Sequence, residues 1–199
     1  MAGLYETQDF WREKMVGAED VLIICRLLSN IGIDIWITGG WGIDALLERQ
    51  TREHKDLDVI MLLDDVIPTR ELMSKQGYEL KELWSENLFT KDTRGNETAT
   101  AFVLRDAHGR EFDAHAIRID EQGNGIPAWD ETDAFILKKE HLVGIGAIAG
   151  FPIRCITPES QMMCHTGYEL PKYQWRDLVL LQEKFGVGYP EGFTRRNEE

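Results

Sequence analysis

One stretch constrains the fold more than any other. From Ile35 an apolar strand runs into Gly39-Gly40, a short helix follows over Trp41 to Glu48, and a polar loop, Thr51 to Lys55, delivers the chain to a second strand that opens with Asp56 and Asp58. Side chains alternate across a strand, so Asp56 and Asp58 share one face while Leu57 and Val59 turn into the core. Glycines at a strand-to-helix turn let backbone N–H groups approach phosphate oxygens, at the end of the helix whose dipole favours negative charge. Two unpaired carboxylates side by side repel, and a divalent cation removes that repulsion. Mg²⁺ takes oxygen ligands of this kind when it also carries nucleotide phosphates. The stretch therefore predicts a half-site for a nucleotide and its metal.

The rest of the chain alternates helical and strand patterns. Apolar positions Trp11, Met15, Ala18, Leu22 and Cys25 recur at three- and four-residue steps and predict an amphipathic helix from about Asp9 to Asn30. Asp64 or Asp65 caps a helix that runs to about Gln76, with Pro68 in its first turn and Gly77 after its end. Thr100 to Arg105 and Arg110 to Ile117 read as two strands around the turn Asp106 to Gly109. On the second of these, Phe112, Ala114 and Ala116 fall on one face and Glu111, Asp113 and His115 on the other. Asp120 to Pro127 reads as a loop, Leu142 to Ile156 as short strands or a second hairpin, and Thr157-Pro158-Glu159 as a helix start. That helix is expected to carry Met162, Met163, His165 and Tyr168. A last helix, Tyr173 to Phe185, is expected to bury Trp175, Leu178, Leu181 and Phe185. This alternation predicts an α/β (α+β) chain with a mixed sheet flanked by helices. We read residues 1–199 as a single domain, with a catalytic core over 35–117 and C-terminal helices over 157–187.

Composition narrows the partners. A formal charge of −13 opposes long DNA or RNA, whose binding is built on Lys and Arg, and suits a small and even cationic ligand. No apolar run reaches membrane-spanning length, and the first residues lack the pattern of a signal peptide, so a cytoplasmic protein with no membrane partner is expected. Cys25, Cys155 and Cys164 are scattered and read as reduced, mostly buried thiols rather than a zinc site.

Gly39-Gly40-Trp41-Gly42-Ile43-Asp44 followed by Arg52-Glu53-His54-Lys55-Asp56-Leu57-Asp58 resembles the signature of the small antibiotic nucleotidyltransferases, the lincosamide and aminoglycoside enzymes. Phe112-Asp113-Ala114-His115 and Cys164-His165-Thr166-Gly167-Tyr168-Glu169-Leu170 are similar to the lincosamide group. The resemblance implies a polymerase-beta-like nucleotidyltransferase fold with a small C-terminal helical portion, Mg²⁺, and transfer of a nucleoside monophosphate from an NTP, foremost ATP, to a hydroxyl.

In that chemistry two metal ions about 3.5–4 Å apart serve the attacking and leaving oxygens. Asp56 and Asp58 are the candidate metal ligands. Asp113 is a third ligand, a general base worth about 10²–10⁴-fold, or both, against the reading of a solvated hairpin carboxylate. Thr38, Gly39 and Gly40 would position phosphates. Arg52, His54 and Lys55 would offset their charge, or simply form a wet loop. Asp44, a turn inside the helix, is a cofactor-side candidate read as a group behind the ligands or on the helix surface rather than as a ligand itself. His115 orders Asp113, touches substrate, or is structural; His165 and Tyr168 are substrate contacts or core. Trp41, Trp84 and Trp129 are more simply buried than stacked on a base.

The leading expectation is antibiotic adenylylation, with a lincosamide ahead of an aminoglycoside. The alternatives are a nucleotidyltransferase acting on a protein hydroxyl, as in toxin–antitoxin systems, and a non-catalytic nucleotide-binding module. A chain this short predicts a homodimer that builds part of the acceptor pocket across its interface.

Overall fold

The computed structural model describes residues 15–85, 87–129, 135–166, 169–190 and 193. Its centre is the predicted strand-turn-helix-strand: β1 (Ile35–Ile37), α2 (Gly39–Leu47) and β2 (Asp56–Leu62), preceded by α1 (Ala18–Ser29). After β2 come α3 (Val66–Lys75), β3 (Glu79–Leu83), β4 (Phe89–Lys91), β5 (Glu97–Ala99), β6 (Ala101–Arg105) and β7 (Glu111–Ile119). The chain continues through β8 (Gly125–Pro127), β9 (Gly144–Ile148) and β10 (Phe151–Cys155) to α4 (Pro158–Met163) and α5 (Lys172–Phe185).

One mixed sheet runs in the order β3-β6-β7-β2-β1-β10-β9, with β8 added alongside the end of β7; β4 and β5 form a separate hairpin. β2 lies parallel to β7 and antiparallel to β1, and β1 is parallel to β10. One face of the β2 and β7 pair, carrying Leu57, Val59, Met61, Phe112, Ala114 and Ala116, packs into the main core with α1, α2 and α5 residues such as Leu28, Trp41 and Leu178. Strand alternation sends Ile60 and Ile117 to the opposite face, where they meet Trp36, Leu137, Leu142 and Ile156 in a smaller core. The candidate carboxylates lie on this second face.

Several expectations are revised. The first helix begins at Ala18 and not near Asp9: Gly17 is extended at the cap, its N–H donates to Asp20 Oδ2 at 2.9 Å, and Val16 bridges His54 instead of continuing a helix. Met15 is accordingly exposed, and Trp11 lies outside the described residues. The expected loop Asp120 to Pro127 holds β8, because backbone groups beside Ile117 and Ile119 can pair there. Leu142 to Ile156 resolves into the β9–β10 hairpin. α4 ends at Met163, which leaves His165 after the helix and not on it. On α5, Leu178 and Leu181 are buried as expected, whereas Phe185 is exposed at the helix end. Among the described residues no helix is long and apolar enough to cross a membrane, and all three cysteines are free thiols.

Candidate active site

The parallel pairing of β2 and β7 sets Asp58 opposite Asp113 and Asp56 opposite Glu111. Residues paired across neighbouring strands project to the same face, so four carboxyl-bearing side chains form a two-by-two block on the sheet. They do not behave alike. Burial works against the Glu111 charge, yet hydrogen bonds from Arg105 and Lys81 and the charges of Lys81 and Lys55 hold its carboxyl below the usual range. Lys81 Nζ lies 3.0 Å and Lys55 Nζ 3.4 Å from its Oε1. Asp58 has no such compensation: burial, then the charges of Asp56 and Asp113, push its carboxyl well up, against the weaker pull of Arg52 and of the Gly40 N–H. Burial pushes Asp113 up to about 7, with Asp56, Glu111 and Glu82 adding to it and the Trp84 hydrogen bond opposing.

That imbalance tests whether these residues fit a metal. Three carboxylates on one face, two of them resisting ionisation through burial and mutual repulsion, are the donor set that a hard divalent cation stabilises, and the residues fit one. Among the described residues no three such side chains already close around a single point, and holding an ion there would require the carboxylates to turn toward it.

The glycine turn faces this block. Gly39 sits at φ +57°, in the left-handed region, and a Cβ there would lie 1.9 Å from Asp58 Oδ2. A Cβ on Gly40 would lie 2.3 Å from His54 Nδ1 and 2.6 Å from an Arg52 terminal nitrogen. Absence of side chains at both positions brings the first turn of α2 against Asp58, His54 and Arg52. Thr38 is the N-cap of α2; its N–H donates to the Asp58 carbonyl at 3.0 Å and its Oγ1 to Gln161 Oε1 at 3.3 Å.

Behind the turn the polar loop is anchored rather than wet. Asp44 is 2% exposed. Its Oδ1 accepts from the Thr51 N–H at 3.0 Å and the Thr51 hydroxyl at 2.6 Å, and its Oδ2 lies 2.5 Å from His54 Nε2. The helix-surface reading of Asp44 is therefore replaced by a buried brace. His54 is also buried and packs on the Trp41 ring, with centroids 4.8 Å apart. Arg52 donates from Nε to Asp177 Oδ2 at 3.0 Å and lies over the Tyr173 ring at 4.7 Å. Lys55 is partly exposed beside Glu111.

On the other flank Trp84 Nε1 donates to Asp113 Oδ1 at 3.0 Å, and His115 Nδ1 lies 3.6 Å from the same oxygen. The His115 ring stands between Trp84 and Trp129, at centroid distances of 6.3 and 5.1 Å. These two tryptophans are only half-buried. His165 is buried, with Nδ1 2.7 Å from the Gln161 carbonyl, and burial holds its imidazole below the ordinary range. It lies near Arg52 and Asp177, not against Asp113. Tyr168 falls outside the described residues. Sequence reasoning had no signal for Asp177, Gln161 or the Trp84 contact, since each meets its partner through tertiary packing.

A strand-glycine-helix unit facing a block of strand carboxylates in a mixed sheet is an arrangement suited to nucleotidyl transfer. The chain belongs to the aminoglycoside-2''-adenylyltransferase family, which it matches over residues 20–181. It is an antibiotic nucleotidyltransferase at the level of that family. A lincosamide resistance protein of Staphylococcus haemolyticus is 24% identical over 170 residues, covering 84% of this chain and 95% of the relative. A 2''-aminoglycoside nucleotidyltransferase of Escherichia coli is 26% identical over 167 residues, 78% of each chain. In fold, the chain is similar to the lincomycin-bound lincosamide adenylyltransferase LnuA, with a TM-score of 0.69 at 20% identity over 85% of this chain and 98% of that one. It is also similar to ANT(2'')-Ia in complex with adenylyl-2''-tobramycin, with a TM-score of 0.63 at 18% identity over 85% and 89%.

Proposed function

We propose that this chain transfers AMP from Mg-ATP to a hydroxyl of a small antibiotic, a lincosamide in preference to an aminoglycoside. The observation that carries the reading is the register of Asp58 on Asp113 opposite the glycine turn, with both carboxyls raised by burial and like charge. Asp56, Asp58 and Asp113 would hold Mg²⁺, which when bound shields the α-phosphate and the leaving pyrophosphate. The Gly39 and Gly40 amides and Thr38 would seat the phosphates at the α2 N-terminus. Arg52 would add charge there, with His54 and Asp44 fixing the turn from behind and Lys55 at its edge. Asp113 would take the proton of the acceptor hydroxyl, its carboxyl kept ionised by the bound cation that offsets its burial.

For the acceptor, support comes from the aromatic surface of Trp84, His115 and Trp129 beside Asp113, which suits a partly apolar amino sugar better than a polycation. The near-complete coverage of the lincosamide resistance relative points the same way. His165 and Tyr168 remain substrate-side proposals. One nucleotidyltransferase domain, working in the cytoplasm where NTP is supplied, completes the reading. A homodimer is favoured by Val143, Ile145 and Phe151, which lie exposed on the edge hairpin; a light-scattering mass of one chain for the active enzyme would reject it.

The test is a panel of lincosamides and aminoglycosides incubated with Mg-ATP and scored by mass spectrometry for an added AMP. Wild type should modify a lincosamide, and Asp56→Asn and Asp58→Asn should modify nothing while keeping their circular dichroism. Full activity in either variant ends the mechanism.

A further inference from the structure

Gly42 lies inside α2 and its backbone is not left-handed, so the helix gains no turn from it and is weaker there than with alanine. A Cβ at this position would lie 2.2 Å from Gln161 Nε2 and 2.8 Å from the Ile37 carbonyl oxygen. The missing side chain makes room for the end of β1 and for a glutamine from α4. Gln161 is fully buried, and its Nε2 has no hydrogen-bond partner among the described residues. A buried donor without an acceptor is itself destabilising. The residue is nonetheless held firmly, since its N–H donates to the Thr157 carbonyl at 2.9 Å and its own carbonyl accepts from His165 Nδ1 at 2.7 Å. Two local costs thus place one amide beside Thr38.

What the amide does there shows in the helix cap. A threonine at an N-cap ordinarily turns its oxygen back to accept from the second or third amide of the helix, which closes the helix end. Thr38 is the N-cap of α2 and makes no such bond. Its Oγ1 donates instead to Gln161 Oε1 at 3.3 Å, and its side chain is also hydrogen-bonded to the Cys164 thiol, a weak partner. The second amide of α2, that of Gly40, goes to Asp58. The third, that of Trp41, is the donor a Thr38 cap would close.

We propose that Gln161 is a positioning residue for nucleotide binding: it draws the Thr38 hydroxyl away from the amides of α2, so that the chain does not cap the helix end that the nucleotide needs. The inference rests on the nucleotidyl-transfer reading and adds a residue of α4 to it. Thr38 serves the nucleotide through where its hydroxyl is kept, and Gly42 through the space it leaves for Gln161. An internal cap and a phosphate oxygen compete for the same donors, so a released Thr38 hydroxyl acts as an inhibitor built into the chain.

The test is a double-mutant cycle on the full chain, read by calorimetry with Mg²⁺ and the non-transferable analogue α,β-methylene-ATP and by the kinetics of transfer. Gln161→Met keeps the length of the side chain and removes both polar ends. It should weaken the analogue about fivefold, the scale of an N-cap hydrogen bond, and raise the nucleotide KM by a similar factor with kcat little changed. Because an orphan donor is removed, its thermal melt should not fall. Adding Thr38→Val, which deletes the competing hydroxyl, should tighten the analogue again by about threefold or more over Gln161→Met alone. A merely structural role predicts the opposite, since a second change in the same packing adds to the loss. Gln161→Asn, whose amide is too short to reach Thr38, should behave as Gln161→Met does and keeps the test open if the methionine variant folds poorly. Unchanged analogue affinity in the Gln161 variants, or no recovery with Thr38→Val, overturns the inference. Antibiotic transfer by wild type together with no recovery rejects the role of Gln161 and spares the reading of function. Recovery in the calorimeter, with no transfer to any antibiotic by wild type, does the reverse.

Discussion

Trp84 Nε1 donates a hydrogen bond to Asp113 Oδ1 at 3.0 Å, joining the loop after β3 to the middle of β7. The contact holds one oxygen of the carboxylate in place and leaves Oδ2 to the reacting partner. Trp84→Phe keeps the ring and deletes the donor. We expect kcat to fall by about tenfold or more, the scale of a hydrogen bond to a charged group, with nucleotide KM little changed. Because the bond favours ionised Asp113, the acid limb of the kcat/KM profile should move to higher pH. Superimposable pH profiles would show that Trp84 does not hold the base.

Stability should depend on pH in a particular sense. Burial raises Asp113 to about 7 and raises Asp58 as well, while an unfolded Asp titrates near 4. The folded state therefore binds more protons between these values, and the stability of the metal-free protein falls as pH rises from about 4 to about 7. Tm in chelator should be lower at pH 8 than at pH 5.5, and added Mg²⁺ should raise Tm more at pH 8. Each kcal/mol corresponds to about 2–4 °C for chains of 150–250 residues. A Mg²⁺ response equal at both pH values would contradict this linkage.

Gly39→Ala places a Cβ where Asp58 Oδ2 now lies, in a backbone conformation with φ +57°. The carboxylate is the movable partner, so the chain should fold with a loss of about 1–2 kcal/mol from the left-handed alanine. Transfer should drop by more than about 10²-fold, since a displaced ligand misplaces the reacting groups. A folded variant with wild-type turnover would exclude close packing of the turn on Asp58 as a requirement.

Asp44 and His54 meet at 2.5 Å with both side chains buried. Asp44→Ala leaves His54 Nε2 and the Thr51 donors without their acceptor and should cost about 3 kcal/mol in urea unfolding. His54→Ala should lose a comparable amount. The double variant should lose clearly less than the sum, because the two act as one unit; additive losses would mean that the pair contributes no coupling.

Much of the site could be read directly from the chain. Strand alternation places Asp56 with Asp58, and Asp113 with Glu111, whatever the tertiary fold. The Gly39-Gly40 turn follows from steric freedom, and the β2 limits follow from the apolar run after Asp56. Where the reading ran too far, the cause is again local. A helical period continued through Met15, although Gly17 and the Val16 bridge to His54 stop the helix at Ala18. The expected α4 extension through His165 failed because the helix ends at Met163.

What the sequence by itself determined is which residue types share a face, because that depends only on the repeat of a strand or helix. Tertiary structure alone decided which charges are compensated. Glu111 and Asp113 are two residues apart on one strand face, yet Lys55, Lys81 and Arg105 neutralise the first, while burial and the charge of Asp56 leave the second in need of a cation. Electrostatic energy depends on through-space distance and on access to water. The register of β2 on β7 and the docking of α5, which brings Asp177 to Arg52 across 125 residues, set both.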